Sequence, residues 1–140
     1  MGIIRELPAD QIEALLHRAV IGRIACCAHG KTGNSRPYLV PLAFAYDGHS
    51  IYAHTGPGRK LDFMRAQPDV TFEVDEGSAS DMWKSVIADA SFEEIADEPD
   101  RMAALRLLYP DTPQSPILGK MTVVFRLRIT AKSGRYETPD

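Results

Sequence analysis

The chain has 140 residues, 44% of them hydrophobic and 25% charged, with ten glycines and ten prolines. That suits one globular domain burying roughly 68% of its unfolded surface, with no disulfide or structural metal needed to fold it. Sixteen lysines and arginines against nineteen aspartates and glutamates leave a formal charge of -3, and no polybasic stripe marks nucleic acid or an anionic membrane as a partner.

From the N-terminus, Met1-Gly2-Ile3-Ile4-Arg5-Glu6-Leu7-Pro8 lacks the charged-then-apolar order of a secretory signal, so a cytoplasmic protein is expected. Pro8 suits a first helical turn, and Ile12, Leu15, Leu16 and Ala19 recur at helical spacing behind it. Residues 21–28 read as a buried strand, and Lys31-Thr32-Gly33-Asn34-Ser35 as a turn. A second strand covers residues 36–46 and ends in Asp47-Gly48, a hairpin signal, with residues 50–54 as the return strand. Thr55-Gly56-Pro57-Gly58 breaks that strand before a short helix over 59–67, stopped by Pro68. Strands follow over 69–75 and 82–95, separated by the polar residues 76–80. Pro99 opens a helix through Tyr109 with Met102, Leu105, Leu108 and Tyr109 as its stripe, and the three prolines of 110–116 mark a loop. The last strand, 121–130, sends Met121, Val123, Phe125, Leu127 and Ile129 one way and Arg126 and Arg128 the other. No run reaches the roughly 18 apolar residues of a membrane span. Tight turns and only three helices exclude strict βαβ alternation. The expected fold is one domain over residues 1–140, mainly β with flanking helices: an antiparallel sheet curled into a barrel.

Four features could carry chemistry. In His54-Thr55-Gly56-Pro57-Gly58-Arg59-Lys60-Leu61, two cations stand at a helix N-terminus, where they have the wrong sign. A bound anion, such as a phosphate, would accept from the free N–H groups and neutralise both side chains; a solvated turn with two exposed cations is the plainer alternative. The spacing is not that of a Walker loop. In the strand from Tyr38 to Tyr46, one face carries Tyr38, Val40, Leu42, Phe44 and Tyr46, and the other the mostly small Leu39, Pro41, Ala43 and Ala45. Pro41 cannot donate to a ladder, which makes this strand an edge or irregular. The small face either leaves room for a flat ring with polar edges or packs against a helix. The single tryptophan, Trp83, reads on its own as core or interface packing. Cys26 and Cys27 point to opposite faces of their strand and read as reduced structural residues; a metal reading would add His29 but finds no second cluster. Of the four histidines, His54 alone borders the glycine loop, while His17 and His49 read as solvated.

The ordered set Ile21-Gly22-Arg23-Ile24, Pro37-Tyr38-Leu39-Val40-Pro41-Leu42, Tyr46-Asp47-Gly48, Ile51-Tyr52-Ala53-His54-Thr55, Gly58-Arg59-Lys60-Leu61, Pro68-Asp69-Val70-Thr71-Phe72-Glu73-Val74 and Trp83-Lys84-Ser85-Val86 resembles the pyridoxamine 5'-phosphate oxidase-related, FMN-binding split-barrel proteins. The nitroimidazole-resistance-like branch is the nearest, and the likeness spans roughly residues 8 to 133. The resemblance implies that Pro41, Leu42, Ala43 and Phe44 line the flavin ring, largely through backbone. It also implies that His54 and Thr55 border the ring and ribityl chain, and that Gly58, Arg59 and Lys60 hold the phosphate. Trp83 and Ser85 would line the flavin site near a subunit contact, FMN lying at the interface of a homodimer. Pyridoxamine phosphate oxidase proper carries a basic, histidine-containing C-terminal segment. The stretch Ser133-Gly134-Arg135-Tyr136-Glu137-Thr138-Pro139-Asp140 shows no such motif, so vitamin conversion is not expected. Relatives often place a glycine in the long strand where this chain has Asp89-Ala90.

The expected function is therefore that of an FMN-binding flavoprotein, an oxidoreductase passing hydride or electrons to a small planar acceptor such as a nitroaromatic. His54 is the candidate catalytic residue, because an imidazole titrating near neutral pH suits proton delivery. The alternatives are a protein that binds or stores FMN, haem or a deazaflavin without turnover, and a dimeric module whose flavin site has decayed.

Overall fold

The computed structural model describes residues 2–27, 36–112 and 118–140. The expected turn at 31–35, His29 and most of the 110–116 loop lie outside the described residues. The order is β1 (Ile3–Glu6), α1 (Ala9–Arg18), β2 (Ile21–Cys26), β3 (Tyr38–Ala43), β4 (Ala45–Tyr46), β5 (Ser50–Thr55), α2 (Arg59–Ala66), β6 (Asp69–Ala79), β7 (Met82–Glu94), α3 (Glu98–Leu108) and β8 (Val123–Thr138). Every described pairing is antiparallel.

The sheet runs β3-β2-β6-β7-β8-β5-β4, with β1 added to β8. Its two ends are consecutive in the chain, for only Phe44 separates β3 from β4. A sheet whose ends meet in this way is curled into a barrel. Phe44 makes the corner: its N–H donates to the Val20 carbonyl at 3.1 Å, and its buried ring stands edge-on to Phe72 with centroids 4.8 Å apart. The single strand expected over 36–46 is thus two, because the corner moves the chain from β2 to β5.

Closure there is brief. β4 covers only Ile51 and Tyr52 of β5. Extending that register would set Phe44 against Ala53 and Ala43 against His54, yet β3 pairs with β2 alone and Ala53–Thr55 pair only with β8. The barrel is split along this line. The split leaves two unpaired backbone edges facing one opening.

Inside the barrel, Ile24, Leu42, Ile51, Ala53, Phe72, Val74, Phe125 and Leu127 form the core, and Leu15 and Leu16 of α1 plug one end. A second cluster outside the wall joins Ala104 and Leu105 of α3 to Ile95 and Val124. β8 is therefore covered on both sides at Val124 and Phe125, against the one-sided alternation read from its sequence. The Asp89-Ala90 departure marks a bulge: Asp89 pairs with Ala131 and Ala90 with Ile129, leaving Thr130 extra. Thr130 Oγ1 donates to the Asp89 carbonyl at 3.2 Å. No helix among the described residues is long and apolar enough to cross a membrane.

Candidate functional site

The opening between β3 and β5 gathers most of the expected site residues. Pro41 and Ala43 stand exposed on β3 and Leu39 is 65% exposed, so no helix covers the small-residue face. Leu42 and Phe44 are buried, filling the wall behind it. Pro41 lies on an edge strand, where a residue without an N–H costs no ladder bond. Across the split stand His54 and Thr55, both half-buried; Thr55 Oγ1 donates to the Gly56 carbonyl at 3.0 Å. A Cβ built at Gly56 or Gly58 would meet nothing within 4 Å, so the loop borders open space.

Beyond that loop, α2 begins with no side chain capping its N-terminus, which leaves its first N–H groups free for an acceptor. Arg59 is exposed and lies over the Tyr38 ring, 5.1 Å from the centroid; Tyr38 is braced in turn by Phe63, edge-on at 5.7 Å. Lys60 is half-buried. Burial pulls its ammonium below the usual lysine range, opposed by Cys26. Among the described residues neither cation forms an ion pair. A desolvated, unpaired lysine beside an uncapped helix start is short of negative charge.

His54 meets a residue that the sequence assigned only to an apolar stripe. Its Nε2 lies 2.5 Å from Tyr109 Oη, and the two rings lie side by side, 27° from parallel with centroids 5.9 Å apart. Burial, reinforced by the charge of Lys60, pushes the imidazole below its ordinary value of 6.5. Both effects favour the neutral ring over the imidazolium. Periodicity could not reveal the contact, since α3 and β5 meet only in the folded chain.

Trp83 and Ser85 are not brought to this opening within one chain. Trp83 pairs with Glu137 and Ser85 with Arg135 on β8, whereas His54 pairs with Val124. Thirteen residues of β8, roughly 40 Å of strand path, separate Trp83 from His54. Trp83 Nε1 donates to Glu137 Oε1 at 2.8 Å, beside a cavity of about 420 Å³ lined also by Gly77, Met82, Lys84 and Tyr136.

A further cluster lies on the outward face next to Pro41. Pro41 is registered against Arg23, Arg23 against Glu73, and Glu73 against Ile87. Arg23 bonds Asp75 at 2.7 Å and sits 3.1 Å from Glu73 Oε1, which is buried and has no aligned donor. Burial and the neighbouring Asp75 push the Glu73 carboxyl up to about 7. Cys26 and Cys27 are free thiols. Among the described residues no three His, Cys, Asp or Glu come together as a metal set.

A family model described as pyridoxamine 5'-phosphate oxidase matches residues 8–136. Among solved structures, the chain is similar to an FAD-binding protein of Mesorhizobium loti. The identity is 35%, over 96% of this chain and 97% of that one, with a TM-score of 0.76. It shares its fold with a candidate 5-nitroimidazole antibiotic resistance protein of Bacteroides thetaiotaomicron, at 18% identity over 96% and 88% of the two chains and a TM-score of 0.79. An uncharacterized protein of Rhizobium meliloti is 28% identical over 92 residues, 66% of this chain but only 58% of that protein's length.

Proposed function

The chain belongs to the pyridoxamine 5'-phosphate oxidase family, and from that premise we propose that it binds a flavin in the split between β3 and β5. The observation that carries this reading is the pair of unpaired backbone edges flanking one opening that ends at the uncapped, basic start of α2. A flavin ring is flat, apolar on its faces and rich in donors and acceptors along its edges. Exposed Pro41 and Ala43 offer a flat, small surface to a face, while free carbonyl and N–H groups of both strands offer partners to the edges. The phosphate falls to Arg59 and Lys60 and to the free N–H groups behind Gly58. FMN, which ends in that phosphate, is the form these residues suit. FAD is a second reading, favoured by the description of the Mesorhizobium protein as FAD-binding.

A bound flavin would supply hydride and single-electron chemistry, which makes an oxidoreductase acting on a small planar acceptor, such as a nitroaromatic, the activity we infer. The chain's own work is to hold the phosphate, present backbone groups to the ring edges and keep a neutral His54 alongside. Binding or storage of a flavin, deazaflavin or haem without turnover is the alternative. The distance of Trp83 and Ser85 from the opening fits a homodimer in which a second copy brings its Trp83 to the flavin. Free Cys26 and Cys27 suit a reducing, cytoplasmic setting.

Purified protein titrated with FMN, FAD and riboflavin should quench flavin fluorescence, with FMN held tighter than riboflavin. Failure to bind any of the three would overturn the reading. Bleaching of the bound flavin by NADH or NADPH, then reoxidation by a nitroaromatic, is expected of the oxidoreductase; a flavin that stays oxidised with both donors points to storage.

A further inference from the structure

His54 sits where four elements meet. On β8 it faces apolar, buried Val124. Two residues back on the same face of β5, Tyr52 donates to Asp47 at 2.8 Å and has Arg126 beside it. From α2 the charge of Lys60 reaches the ring, and at the end of α3 Tyr109 brings its hydroxyl 2.5 Å from Nε2. We propose that Tyr109 is a positioning residue for His54: its phenol donates to Nε2, fixes the neutral ring in the Nδ1–H form, and leaves Nδ1–H as the ring's one donor toward an acceptor atom of a ligand in the split.

The direction of the bond follows from the two groups. A phenol is a better donor than a neutral imidazole N–H, and an unprotonated imidazole nitrogen is a better acceptor than a phenol oxygen, so O–H to N is the stronger arrangement. The reverse arrangement, with an imidazolium donating to Tyr109, is disfavoured by burial and by Lys60. Half-buried and held at Nε2 by this bond, with the two rings only 27° from parallel, the imidazole keeps its proton on Nδ1. Among the described residues no hydrogen bond occupies Nδ1. The ligand-facing part of this inference rests on the flavin reading; the tautomer is a property of the protein alone.

Long-range proton–nitrogen correlation spectra of the ligand-free full chain at neutral pH read the tautomer directly. Wild type should show His54 as Nδ1–H. Tyr109→Phe, which keeps the aromatic ring and deletes the hydroxyl, should move it toward the Nε2–H form that an unconstrained histidine prefers. An Nε2–H ring in wild type, or an unchanged spectrum in Tyr109→Phe, overturns the proposal. In titrations, Tyr109→Phe should weaken FMN and riboflavin alike by about fivefold, one hydrogen bond that does not read the phosphate. Wild-type affinity for both would refute a ligand-facing Nδ1–H. A wild-type chain that binds neither flavin refutes the split as the site, while the tautomer still decides the role of Tyr109.

Discussion

Arg59 and Lys60 are adjacent in sequence but differ in setting: Arg59 is exposed over Tyr38, Lys60 half-buried and pulled down by burial. Replacing both with alanine should cost FMN about 1.5–3 kcal/mol for each charge-assisted bond lost and leave riboflavin nearly unaffected. Equal losses for the two ligands would show that the pair does not read the phosphate. An anion beside Lys60 restores stability to its charged form, so FMN affinity should fall as pH rises through the lysine's own titration, a trend that Lys60→Ala should remove. Glu73 makes a second prediction. In the unfolded chain its carboxyl titrates near 4.5, and in the fold near 7, so between those values the folded state holds the extra proton. Its contribution to stability is full below about 4.5 and is lost as pH rises through about 7. Glu73→Gln should flatten this part of the profile, read as urea midpoints at the two ends of the window. If variant and wild type lose the same stability across it, Glu73 is not the source.

At the scale of elements, the corner at Phe44 and the close approaches at two glycines hold the barrel shut. Phe44→Ala should cost about 3–5 kcal/mol, as expected for an aromatic deleted from a core, and should disturb the split, since Phe44 alone links the two ends of the sheet. Gly22 sits in β2 where an added Cβ would come within 2.4 Å of Phe72 Cζ and 2.9 Å of the Glu73 carbonyl oxygen. The ring can turn, but the neighbouring strand has to shift. Gly22→Ala should therefore destabilise by about 1–3 kcal/mol in chemical denaturation, and a neutral result would mean that β2 and β6 yield more readily than the contact implies. Gly134 does the same at the other end, lying against Leu7 and Ile12, with a Cβ reaching 2.9 Å from Leu7 Cβ; its carbonyl accepts the Leu7 N–H at 2.9 Å. That glycine lets the start of α1 lie against β8.

For the whole molecule, the outward faces of β3, β2, β6 and β7 present Leu39, Ile21 and Ile87 at 65%, 50% and 48% exposure around the Arg23–Glu73–Asp75 cluster. Exposed apolar side chains around a charged cluster suit a partner, and this face adjoins Pro41. Sedimentation of the chain with saturating FMN should give a dimer of the 15.5 kDa subunit. A monomer under those conditions would sink the two-subunit site, and the role of Trp83 and Ser85 in it.

The sequence alone determined the parts that depend on local chemistry. Periodicity placed α1 and α3, turn and breaker residues bounded α2 and β5, and apolar runs between turn signals marked the cores of β2, β6 and β7. The unbalanced charge at the start of α2 was legible too, since two cations at a helix start after two glycines are a contradiction visible in eight residues. What failed to show lacked a buried face or depended on distant neighbours. β1 is exposed along its whole length, and the far half of β8, residues 131–138, is mostly exposed. β1 is a strand because residues 135–138 of β8 pair with it, and the far half of β8 is one because β7 runs alongside it from Trp83 to Asp89. Likewise β6 runs on through exposed, polar Glu76–Ala79 because β7 returns alongside it. Only the tertiary structure could break the long strand at Phe44, set Ala43 across from His54 without pairing them, and bring Tyr109 to the imidazole. Each joins residues far apart in the chain or depends on where the sheet closes, and no local preference encodes where a closing sheet leaves its gap.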